Sequence, residues 1–378
     1  MKASKWCQLT AVALLCVASS AFAEKQGEPV ARPEAMSSPT KTEFKQPLDV
    51  LDYGAGKTYN GSDCGACCDQ GGCRKCNTFL IGGSEATFLW PDFHRSSNNY
   101  TYVNALGVPP TATFASDATS IDHNLLIGPR VWLGVQGCKW GMIGRYWNLA
   151  DTASSVSPPV PGYGVTQLGA TDSFRAYYAD LEATRSFCLG GWSTTGSFGV
   201  RYAALDLNNT LSSSVFSVLG EYAGASSSSR LGFDGTGLTM GLWGSKQIHP
   251  CSCWNWFFSG RASILWGNSS SYAMTQATTS DILGAATSVD AAYAKGGGDL
   301  FIGELQYGIQ WERQLKCIPS RAFFRIAGEY QYWDASNATR AGAFSGAVTP
   351  ISTAFAVAES NSVLFDLVGF TIGAGLTY

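Results

Sequence analysis

The chain of 378 residues is 14% charged and 45% hydrophobic, with a formal charge of −3, whereas ordinary globular domains hold about 25% charged residues. With no Lys/Arg run and no positive balance it is not built for nucleic acid, and beyond residue 23 no window holds the roughly 18 consecutive apolar residues of a spanning helix. Among membrane structures that leaves a closed β-barrel, which satisfies every backbone N–H and C=O between its strands.

The N-terminus reads as an export signal over residues 1–23. Lys2 and Lys5 give the positive start, Leu9 to Val17 the apolar run, and Ala21-Phe22-Ala23 the small-x-small site before Glu24. An anchor helix is the alternative, but the run is too short for one. Cys16 makes no lipoprotein site, because bulky Leu15 stands where a small residue is needed. Residues 24–60, with Pro29, Pro33, Pro39 and Pro47 among Glu, Lys and Ser, read as a flexible periplasmic linker. Residues 61–77 form a Gly/Cys knot, and 78–378 carry the barrel.

The clearest strand runs from Asp299 to Glu312. Phe301, Leu305, Tyr307, Ile309 and Trp311 share one parity; Glu304, Gln306, Gln310 and Glu312 share the other. A period of two over that length makes one apolar and one polar face. Residues 321–333 and 123–136 repeat it, the latter with Pro129 on its apolar side, where a missing donor predicts a bulge. Weaker alternation covers 78–90, 139–150, 172–187, 192–207, 231–246, 253–266 and 362–378, which makes ten strands.

Long stretches (91–122, 151–171, 208–230, 267–298, 335–361) alternate with short ones (137–138, 188–191, 247–252, 313–320). Outer-membrane barrels have this asymmetry, with long extracellular loops and short periplasmic turns. In 208–230, Val215, Phe216, Val218, Leu219 and Tyr222 would suit an extra strand or a plug helix; an ordered loop keeps the strand number even. The expected architecture is an all-β, antiparallel, up-and-down transmembrane barrel of about ten strands. Every tryptophan after the signal falls in a strand or at its edge, as aromatic girdles require. A secreted sandwich or propeller would share the alternation, but sandwich strands are nearer 5–6 residues.

The last strand ends on Tyr378, with Leu376 and Ile372 at alternate positions before it. This resembles the C-terminal signature that barrel-assembly machinery reads in outer-membrane proteins. The hairpin from Gly128-Pro129-Arg130 to Gly141-Met142-Ile143-Gly144-Arg145-Tyr146-Trp147 resembles the early strands of the Legionella-type major outer-membrane protein family. It is also similar to planctomycete putative porins, whose Cys-rich beginnings are like residues 64–76. The resemblance covers 78–378 and implies a pore-forming outer-membrane protein; it brings no functional residues with it.

Strand parity points Arg130, Arg145, Arg201, Arg261 and Arg325 inward, with Asp180, Glu182, Glu304, Glu312 and Glu329. Enclosed charges are costly unless paired or wet. They therefore line a narrow polar pore for small solutes, or they zip shut a plugged barrel whose outer loops carry a structural or adhesive role. Ten strands lie near the filled end of the barrel size range.

The cysteines of the mature chain avoid the long stretches. Cys64, Cys67, Cys68, Cys73 and Cys76 sit in the knot, and Cys138, Cys188, Cys251, Cys253 and Cys317 in or beside the short turns. Paired C-x-x-C could hold zinc and free thiols are a further alternative, but an oxidising periplasm favours disulfides with pairing left open. No metal and no cofactor are expected. Asp92-x-His94 and Asp122-His123 flank the first long stretch and would meet at the outer rim, where a protease needs its acid–base pair. A plain polar rim is the simpler reading, and no enzyme is expected. The expected partners are outer-membrane lipid, the assembly machinery, small solutes and, in a homo-oligomer, further copies of the chain.

Overall fold

The structure, a computed structural model, describes residues 78–93, 103–104, 111–116, 123–137, 139–157, 166–216, 222–249, 252–281, 284–315, 320–348 and 351–378. The export signal, the linker and the cysteine knot lie outside them, as do Asp122, His94, Cys138, Cys251 and Cys317.

The described strands are β1 (Phe79–Phe93), β2 (Val103–Asn104), β3 (Thr111–Ser116), β4 (Leu126–Gln136), β5 (Trp140–Ser157), β6 (Thr166–Leu189), β7 (Trp192–Phe216), β8 (Tyr222–Gln247), β9 (Trp254–Asp281), β10 (Gly284–Gln314), β11 (Arg321–Val348) and β12 (Ile351–Thr377). From β4 to β12 each strand pairs antiparallel with the next, and β1 pairs with both β4 and β12. The result is a closed up-and-down barrel of ten strands, as the alternation indicated.

Two backbone devices allow closure at this size. Gly190 and Gly191 take positive φ (55° and 81°) and turn β6 into β7 in two residues, a turn open chiefly to glycine and asparagine. Gly237 and Gly369 face inward where neighbouring backbone crowds in. A Cβ there would stand 1.9 Å from the carbonyl oxygens of Ile264 and Phe88. Side-chain-free corners of this kind let a sheet curl tightly.

The outer wall is apolar. Ile127, Leu133, Leu181, Phe198, Val200, Met240, Ile264, Leu305, Ile326 and Val368 all point outward and are exposed. A continuous apolar belt far exceeds what a soluble monomer shows. On β9, Trp256 and Trp266 both face out. Ten residues of strand span about 33 Å, or roughly 25 Å at a 40° tilt, which is the height of the lipid band between aromatic girdles.

Three expectations are corrected. Most of the long stretches are not loops: β5–β6, β7–β8, β9–β10 and β11–β12 continue into 151–171, 208–230, 267–298 and 335–361 as paired strands, the pairing running from Gly284↔Asp281 to Trp311↔Trp254 for β9–β10. Pro129 makes no bulge. It pairs in register opposite Ala86, while β4–β5 pairing begins only at Arg130↔Trp147, so its missing N–H breaks no bond toward β5. Nor do all tryptophans form girdles, because Trp147 and Trp333 are fully buried inside the barrel.

Beyond Asp299↔Ser336 the pairing of β10 with β11 ends, and β11 pairs instead with β3, from Ala343↔Ser116 to Val348↔Thr111. Here β11 packs across the interior onto β8 and β9. The inward row of β9 is Ser269, Ser271, Ala273, Thr275, Ala277 and Thr279, all buried. Such small side chains let opposite walls close on each other, so the barrel continues upward as a flattened β-arm.

Candidate functional site

The lumen is filled at two levels. Toward the arm, side chains from every barrel strand meet in one apolar cluster: Leu89, Leu126, Trp147, Phe174, Leu205, Phe233, Leu265, Leu300, Trp333 and Phe365 are among its members. Trp333 stacks on Phe365 at 5.6 Å, and Phe174 meets Phe365 edge-on at 5.3 Å. Each fully buried large apolar side chain contributes about 1.5–3 kcal/mol, so the layer is a core and not a lining.

Below it, toward the short turns, lies a charged layer. The Arg130 guanidinium donates from Nη1 to Glu85 Oε2 (3.0 Å) and Glu329 Oε2 (3.1 Å), and from Nε to the Tyr178 hydroxyl (3.2 Å). That hydroxyl donates on to Glu304 Oε2 at 2.8 Å. Arg201, fully buried, donates to Glu304 Oε1 (2.5 Å) and Asp180 Oδ2 (2.8 Å), with its guanidinium 3.9 Å above the Tyr178 ring. Arg145 pairs with Glu182, Arg325 with Glu85, and Arg261 Nε lies 3.1 Å from Glu182 Oε1. Mutual charge pairing is what makes so many enclosed charges tolerable.

The predicted wall residues converge here with one exception. Glu312 stands near the short-turn rim and pairs with the exposed Arg321 at 3.3 Å, outside the network. Glu85 takes its place, so five carboxylates still face five arginines. Sequence reasoning missed Glu85 because Gly82, Gly83 and Ala86 blur the alternation of β1; parity with Thr87 and Leu89, also buried, was the available signal.

At the outer side His123, just before β4, is fully buried. Its Nδ1 lies 2.9 Å from Asp151 Oδ2 and its Nε2 3.7 Å from Asp172 Oδ2. Burial pushes the imidazole pKa down, but hydrogen bonding and charge from Asp172 and Asp151 outweigh it, and the pKa rises above the usual 6.5. Its described partners are therefore on β5 and β6, not the acids anticipated around the first long stretch. The imidazole lies against the Phe93 ring, 5.5 Å away. Cys188 and Cys253 are exposed at the short-turn end, where the sequence put them; the other disulfide candidates lie outside the described residues.

No protein-family model matches the chain, and no curated protein does. Among solved structures it is similar to the outer membrane protease OmpT from Escherichia coli, at 11% identity and a TM-score of 0.29, over 80% of this chain and 96% of that one.

Proposed function

We propose that this protein is an outer-membrane barrel with a closed lumen, a structural or adhesive platform that holds its β-arm outside the cell. One observation carries the reading: the apolar cluster draws side chains from all the barrel strands and sits directly on the ion-pair layer. A solute would have to part both. The exposed apolar belt and the girdle spacing of Trp256 and Trp266 support membrane insertion, and the N-terminal signal pattern supports export. The cysteines at the short-turn end suit disulfides that tie the Cys-rich segment to the barrel floor in an oxidising periplasm.

The narrow-pore reading, implied by the resemblance to porin families, needs a continuous water path. Liposomes carrying the folded protein are expected to admit small sugars and amino acids no faster than empty liposomes. Uptake that scales with the amount of protein inserted would return the pore reading to first place. For the adhesive role, cells displaying the protein should bind a surface or partner that cells with residues 270–295 deleted do not.

A further inference from the structure

Below the charged layer the barrel opens toward the short turns in a cup of about 80 Å³, room for a few waters at roughly 30 Å³ each or one small oxyanion. Its walls carry Arg130, Arg145, Arg261 and Arg325 but only Glu85 and Glu304, an excess of two positive charges. The layer as a whole is balanced, so the excess arises from sidedness. The side chains of Glu85, Asp180, Glu182 and Glu329 are completely buried, whereas Arg325 and Arg145 keep 14% and 9% of theirs exposed. Aromatic rings hold these cations in place: Arg325 lies 4.6 Å from both Trp132 and Phe257, and Arg145 lies 5.3 Å from Trp243. Arg261 adds an independent sign. Its side chain is 5% exposed, it lines the cup, and its Nη2 is buried with no hydrogen-bond partner among the described residues. A buried guanidinium N–H without an acceptor beside a cavity calls for a bound water or anion.

We infer that the cup is a binding site for a small oxyanion, a carboxylate or phosphate group, entered from the short-turn side and held by Arg261, Arg145 and Arg325. The site is a dead end on the closed-lumen reading, so it binds and does not conduct. The ligand is either a free anion or the carboxylate of a larger periplasmic molecule.

The test is calorimetric titration of the full-length protein in detergent with inorganic phosphate, with acetate, and with a short peptide as free acid and as C-terminal amide. Saturable binding of phosphate or acetate is expected. Arg261→Gln should weaken it about tenfold or more, since it removes charge-assisted hydrogen bonds. Ser259→Glu places a tethered carboxylate in the cup wall without removing any network partner, and it should abolish binding while the barrel still folds. Preference for the free-acid peptide over its amide would identify a macromolecular carboxylate as the source. Equal peptide binding with phosphate retained would identify the free anion. Flat titrations for folded wild type, or undiminished binding in Ser259→Glu, would overturn the site. Conductance, measured separately, reports on the lumen and leaves this result independent of the function proposed above.

Discussion

At the scale of single residues, the charged layer separates pairs that matter from pairs that do not. Arg201 is fully enclosed between Asp180, Glu304 and the Tyr178 ring. Arg201→Met leaves two buried carboxylates short of a partner and is expected to cost about 3–5 kcal/mol, measured by urea unfolding of the barrel in detergent. Arg321→Gln, which breaks an exposed pair with Glu312, should change stability by less than about 1 kcal/mol. His123 gives a pH signature. Its folded pKa is raised, so its stabilising contribution is fully present below the unfolded value near 6.5 and fades as pH rises through the folded one. The melting temperature lost in His123→Gln should therefore be larger at pH 5 than at pH 9. Equal losses would mean that the fold does not raise the imidazole pKa. Strand parity from β4 to β11 found every charged member of the layer except Glu85. Tyr178 escaped because a tyrosine in a strand reads as girdle or core, and only the fold shows its hydroxyl bridging Arg130 to Glu304.

At the scale of elements, the membrane half was legible and the arm was not. Where large apolar and charged residues alternate, as in residues 299–312, the two faces announce themselves. Beyond the membrane both faces meet water or small-residue packing, so the contrast fades. The row Ser269, Ser271, Ala273, Thr275 and Ala277 looks like loop composition, yet it is buried strand. Its partner row holds Tyr272, Met274 and Gln276, an alternation of size where hydrophobicity was flat. Because the β9–β10 hairpin is paired along its whole length, deleting residues 270–295 should shorten the arm and leave the barrel's heat-modifiable migration intact. Gly369→Val, by contrast, drives a side chain into the Phe88 carbonyl and should abolish that migration.

At the scale of the whole molecule, lipid outside and a filled interior are two faces of the same strands. Brominated lipids should quench Trp256 and Trp266 but spare Trp147 and Trp333, compared in single-tryptophan variants. The most direct test of the closed lumen is conductance in a planar bilayer, wild type beside a variant with Trp147, Phe174, Trp333 and Phe365 all changed to alanine. The filled interior predicts a silent wild type and, if the variant still folds, current steps only after the apolar layer is thinned. Steady open-channel steps from the wild-type protein would contradict it.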